Sequence, residues 1–122
     1  MTTSTTIEQS KRLLELGLDP STADMVYISG APPHLNVLDE EYIKREMLDE
    51  YDVLAWSLSA LLEVMPLGVE LHKMRDDAGK AYYEIDYLYT GYEDSDPINA
   101  AYEMACWLLE NGHIKKGGDH GI

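Results

Sequence analysis

Four histidines, one cysteine and 23 carboxylates are the side chains with which this chain could do acid–base, nucleophilic or metal chemistry. His34, His72, His113 and His120 stand apart, and no two have the short helical spacing that lets two imidazoles share a zinc ion. His113, Asp119 and His120 could gather around an ion, but the glycines among them offer no preorganised geometry. Cys106 sits in an apolar run between Ala105 and Trp107, without a histidine or second cysteine at a useful spacing. It reads as a small buried hydrophobe rather than a nucleophile. Glu93, Asp94 and Asp96 resemble part of a calcium loop, yet the chain then runs into Pro97 without that motif's glycine and distal glutamate. The pairs Glu40-Glu41 and Asp76-Asp77 have no evident proton partner. No phosphate-binding glycine loop, dinucleotide fingerprint or nucleophile elbow is present. The expectation is a chain with no catalytic residue, no metal ligand and no cofactor, and therefore not an enzyme.

The tyrosines carry more information. The chain has nine Tyr, two Trp and no Phe, and Tyr82, Tyr83, Tyr87, Tyr89 and Tyr92 fall in one short stretch with Glu84 and Asp86 between them. Whichever alternate face avoids the core would present phenol rings beside carboxylates, a surface suited to a protein partner or to an edge strand that pairs with a second copy. Cross-strand packing under helices is the competing explanation. The candidate partner-binding residues are Tyr82, Tyr87, Tyr89, Tyr92, Glu84 and Asp86, joined by Trp56; for Trp56 and Trp107 the competing reading is core packing.

Charge narrows the partners. Against 23 Asp and Glu stand nine Lys and Arg, giving −14 at pH 7, which repels bare nucleic acid and anionic membrane. Seven acids lie between Asp39 and Asp52, seven between Asp76 and Asp96, and two from Val53 to Arg75. The longest apolar stretch, Val53 to Leu62, is broken by Ser57 and Ser59 and is too short to span a bilayer. A single cysteine and an N-terminus without signal-peptide features lead to the expectation of a cytoplasmic protein.

A single domain of 122 residues must position these groups. Thr5 stands three residues before Glu8, which predicts a helix start, with Ile7, Leu13, Leu14 and Leu16 on one side and Gly17 closing it. Asp19-Pro20-Ser21 predicts a turn, and Met25 to Ile28 a strand that Gly30, Pro32 and Pro33 end. Ile43, Met47 and Tyr51 recur at helical spacing and predict an amphipathic helix over Asp39 to Tyr51. Trp56 to Met65 predicts a short helix with Ser57 as cap and Pro66 as stop. From Val69 the apolar period falls to two, with Val69, Leu71 and Lys73 alternating against Glu70, His72 and Met74. Asp76-Asp77-Ala78-Gly79 supplies a turn, and Tyr83, Ile85, Tyr87 and Tyr89 alternate with Tyr82, Glu84, Asp86 and Leu88. This predicts a hairpin over 69–89 whose face bearing Tyr83, Ile85, Tyr87 and Tyr89 meets helices and whose Glu84 and Asp86 point to water. Asp96 and Pro97 open a last helix with Ile98, Ala101, Met104, Ala105, Leu108 and Leu109 inward and Asn111-Gly112 at its end. The expected fold is α+β in two layers, a small antiparallel sheet covered by about three helices, with Met25 to Ile28 as a further strand and flexible ends at 1–4 and 116–122.

Several segments together carry a likeness: Leu13-Leu14-Glu15-Leu16-Gly17-Leu18-Asp19-Pro20, Ala55-Trp56-Ser57-Leu58, and Ala100-Ala101-Tyr102-Glu103-Met104 with Cys106-Trp107-Leu108-Leu109. They resemble a family of short acidic proteins from gut anaerobes and their phages or other mobile elements. The likeness runs over the first quarter, the middle helix and the last helix, and leaves out Ser29 to Asp52. It implies an origin in mobile elements and brings no activity or site residues, because that family has none established. The leading expectation is a non-enzymatic interaction or regulatory module that binds a protein partner or a second copy. The second is an acidic mimic of nucleic acid that blocks a DNA-binding host or defence protein, which requires the acids to form one continuous face. A small enzyme with its site between helices and sheet is the third.

Overall fold

Helix α1 (Ile7–Glu15) is capped by Thr6, whose Oγ1 accepts from the Gln9 N–H at 3.0 Å while Gln9 Oε1 accepts from the Thr6 N–H at 3.0 Å. The capping pair is therefore Thr6 and Gln9, one residue beyond the expected Thr5 and Glu8, because Thr5 is engaged elsewhere. Thr5 is fully buried; its N–H donates to the Trp56 carbonyl at 2.9 Å, and its Oγ1 accepts from the Trp56 N–H at 3.1 Å. Ser10 donates to the Thr6 carbonyl at 2.7 Å, so across the 2.8 Å contact between the two hydroxyls Thr5 is the donor. A one-way relay runs from the Trp56 N–H through Thr5 and Ser10 to the Thr6 carbonyl. Ser4 is buried beside it and donates to the Thr5 carbonyl. The computed structural model describes residues 3–38 and 51–116. The body of the helix expected over Asp39 to Tyr51, and the tail beyond Lys116, lie outside the described residues.

Helix α1 closes as its sequence indicates. Gly17 takes φ 99°, and the N–H groups of Gly17 and Leu18 return to the carbonyls of Leu14 and Leu13 at 3.0 Å each. This turns the buried Leu18 back under the helix. Strand β1 (Met25–Ile28) follows, paired antiparallel with β2 (His34–Val37) on one side and β3 (Val53–Ala55) on the other. The sequence reading made β1 an extra strand of the hairpin's sheet; it is instead the centre of a second sheet, ordered β2-β1-β3. Ser57 caps helix α2 (Leu58–Val64) as expected, its Oγ accepting from the Ala60 N–H at 3.2 Å. Met65, held extended before Pro66, ends it.

The expected hairpin forms from β4 (Glu70–Arg75) and β5 (Ala81–Tyr87), with Leu71 opposite Ile85. A third strand, β6 (Thr90–Asp94), pairs antiparallel with β5 and was not expected. In its Thr-Gly-Tyr-Glu-Asp sequence Gly91, Glu93 and Asp94 disfavour a strand and offset Thr90 and Tyr92. Gly91 faces Asp86, where an added Cβ would stand 2.7 Å from the Asp86 carboxylate. Helix α3 (Pro97–Glu110) starts at Asp96, whose Oδ1 accepts from the Ile98 N–H at 3.0 Å. It buries the whole expected stripe together with Ala100 and Cys106. It lies on β5 and β6 and touches α1 and α2, so Leu13, Trp56, Leu61, Ile85, Met104 and Leu108 meet in one core. The described chain is a small α+β fold of three α-helices and two antiparallel three-stranded sheets.

Candidate functional site

Strand alternation divides the tyrosine-rich segment between two faces. Ile85 is buried, and its face carries Tyr87 and, across the ladder, Tyr92, both packed against the core under α3. The opposite face carries three cross-strand rows: Met74 beside Tyr82; His72, Glu84 and Glu93; and Glu70, Asp86 and Gly91. No described helix lies over these rows, and the side chains of Glu70, His72 and Asp86 are 69%, 46% and 41% exposed. Glu84 and Asp86, expected to point to water, lie on this face and are partly exposed. Two carboxylate pairs oppose each other directly, Glu84 with Glu93 and Glu70 with Asp86. Among the outward residues of these strands only His72 can carry positive charge; its Nε2 stands 3.2 Å from Glu70 Oε2 and 3.9 Å from Asp86 Oδ2. Asp86, then desolvation, then Glu93 push the Glu84 carboxyl above its ordinary value, and His72 opposes them. Like charges across a ladder weaken a sheet, so this face costs stability.

The candidate residues therefore separate. Tyr82, Glu84 and Asp86 share the outward face, while Tyr87 and Tyr92 belong to the inner one. Burial raises the Tyr92 phenol, helped by Glu103 and Glu110. Trp56 is fully buried, with its Nε1–H donated to Thr22 Oγ1 at 2.9 Å. Its place among the partner contacts is corrected: it holds the core. Tyr89, expected on the strand face that meets the helices, lies instead in the β5–β6 turn, because β5 ends at Tyr87; it is wholly exposed beside Leu88, which is 65% exposed. Tyr87 meets His113 edge-on at 5.4 Å between ring centres, and His113 stacks on Trp107 at 5.3 Å.

No family model matches the chain, and no curated protein or solved structure matches it.

Other chemistry has less support in the geometry. Among the described residues no three His, Cys, Asp or Glu side chains are grouped to hold a metal ion. Burial raises the Cys106 thiol, which favours its neutral form. No described helix is long and apolar enough to cross a membrane. A concavity of about 720 Å³ is lined by Leu18, Thr22, Asp24, Glu63, Ile114 and Lys116, among others. Two of its polar side chains already serve the fold. Asp24 accepts from the Ser57 N–H at 2.8 Å and from the Ser57 hydroxyl, and Thr22 Oγ1 accepts from Trp56 and donates to the Asp19 carbonyl. The alternation read from the sequence already set Glu70, His72 and Met74 opposite Val69 and Leu71, and Leu88 opposite the inward tyrosines, but did not count them as candidate residues. Glu93 and Leu67 were missed, and Glu93 required recognition of β6.

Proposed function

We propose that this chain is a non-enzymatic protein-interaction module that docks a basic partner on the outward face of β4, β5 and β6. The observation that carries the reading is the opposition of Glu84 to Glu93, with Glu70 opposed to Asp86 in the next row. A partner bearing Lys or Arg relieves that repulsion on binding, so the face gains most in the complex. Met74 and Tyr82, at one end of the face, add apolar contact beside the charges. An origin in mobile elements, as the resemblance implies, fits a small module that acts by binding. Exposed Glu8 and Glu15 on α1, and Glu103 and Glu110 on α3, lie away from this face. That scatter favours a basic protein partner over mimicry of nucleic acid, which needs one continuous array.

The test is retention from lysate of the source cells by the tagged full chain, washed at low and high salt. Glu84→Gln/Glu93→Gln is compared with Glu8→Gln/Glu15→Gln as the control. A basic protein held at low salt, released at high salt and lost from the first variant alone supports the reading. Equal retention by both variants, or no retained protein, refutes it.

A further inference from the structure

The turn between β5 and β6 is two residues long, closed by Tyr87 opposite Thr90. Such turns ordinarily use Asn or Gly, because one or both central residues need positive φ. Here the residues are Leu88 and Tyr89, and Leu88 takes φ 54°, a region a branched apolar side chain seldom occupies. Neither side chain is covered: Leu88 is 65% exposed and Tyr89 wholly so. Leu67, 99% exposed, stands at the same end of the sheet, since the Cβ position of its neighbour Gly68 lies 3.7 Å from the Tyr87 ring. The mount beneath is packed, with Tyr87 against His113 and His113 against Trp107. A two-residue turn on that packed base leaves mainly side-chain freedom to be lost when a partner buries the tip.

We propose that Leu88 and Tyr89, with Leu67 beside them, form the anchor that enters an apolar recess, rimmed by lysine and arginine, on a protein partner. The rim chemistry follows from charge complementarity. Asp86 and Glu70 stand one row behind the tip on the outward face, and Glu110 lies in the last turn of α3 near Trp107. An anionic membrane would meet those carboxylates as it inserted the tip, and a second copy would bring an identical acidic rim against them. The inference rests on the docking face proposed above and adds its anchor.

The test places p-benzoylphenylalanine at position 89 of the full chain and, separately, at Lys11 on α1, and irradiates each in lysate of the source cells. The expected result is one protein cross-linked from position 89 and not from position 11, attached at an apolar segment bordered by Lys or Arg. Adding Leu88→Gly, which suits the positive φ and preserves the fold, should cut the yield at least about five-fold, the order a lost interface anchor gives. Cross-links only to a second copy or only to lipid, equal yields from both positions, no cross-link, or a yield indifferent to Leu88→Gly overturns the proposal. Glu84→Gln/Glu93→Gln in the position-89 chain separates the two readings. If the yield persists, the tip stands and the acidic face fails. If position 89 captures nothing while the carboxylate variant still loses the retained partner, the face stands and the tip fails.

Discussion

Replacing Thr5 by valine removes one oxygen atom and tests how the N-terminal segment is fixed. The valine keeps the shape of threonine at a position with no exposure, so packing changes little. The buried Trp56 N–H, however, loses its acceptor at 3.1 Å, and an orphaned buried donor costs about 1–3 kcal/mol. Ser10 loses a donor but still donates to the Thr6 carbonyl, a minor change. Thr5→Val should therefore destabilise by about 2 kcal/mol, which for a domain of this size lowers Tm by about 8 °C. Thr5→Ser keeps the relay and loses only a methyl, about 1 kcal/mol. Ser10→Ala leaves the Thr5 hydroxyl without its acceptor, about 1 kcal/mol, offset in part by alanine's better helix propensity. Because the relay runs one way, the double variant Thr5→Val/Ser10→Ala should cost no more than Thr5→Val alone. Urea unfolding at pH 7 followed by tryptophan fluorescence measures all four. Additive losses, or a Thr5→Val loss below about 0.5 kcal/mol, would refute the directed relay.

Three further outcomes follow from the same structure. Glu84, raised above its ordinary value, opposes folding once ionised; the penalty is complete above the folded value and vanishes as pH falls below the unfolded one. Glu84→Gln should accordingly raise Tm at pH 7 and leave it unchanged near pH 3, and an equal gain at both would sink the electrostatic account. Cys106 should react with a disulfide reagent at least about 100-fold more slowly in the native protein than in urea, and comparable rates would contradict its burial. Gly17→Ala should cost about 1–2 kcal/mol through its left-handed backbone and more than Gly112→Ala, because Lys116 methylenes lie 3.0 Å from a Cβ at 17 while nothing crowds Gly112. Thermal melts returning the reverse order would overturn that comparison.

What could be read from the sequence was whatever local chemistry decides. Asp96-Pro97, Ser57 and Gly17 each mark a helix end by a mechanism confined to a few residues, and each stands where expected. The alternation through Tyr83 and Ile85 assigned the buried face of β5. Strands β2 and β3 escaped because they are short and their pattern is weak; β2 exposes His34, Asn36 and Val37 and owes its conformation to pairing with β1. Strand β6 escaped for a related reason, its glycine being dictated by Asp86 across the ladder, a non-local demand. That omission hid the candidate face, because Glu93 opposes Glu84 only once β6 exists. Thr5 was misassigned as a cap because its partner, Trp56, is distant in sequence.

The distribution of favourable and unfavourable choices bears on function. Helices α1 and α3 are capped at both ends, and among the described residues no buried side-chain polar atom lacks a partner. Several local rules are broken together in one hairpin. Between Glu84 and Glu93 the chain sets two carboxylates face to face, puts leucine at positive φ and leaves Leu88 and Tyr89 in solvent. Asparagine or glycine at 88 and glutamine at 84 would remove the first strain and weaken the second without touching the core. Sequences consistent at every level fold most securely, and departures from that consistency gather where binding is selected instead. Since the departures share one hairpin and combine negative charge with an uncovered apolar tip, the physical complement is a surface both basic and recessed. A purely ionic partner would leave Leu88 and Tyr89 unexplained, and a purely apolar one would leave Glu84 and Glu93 unexplained.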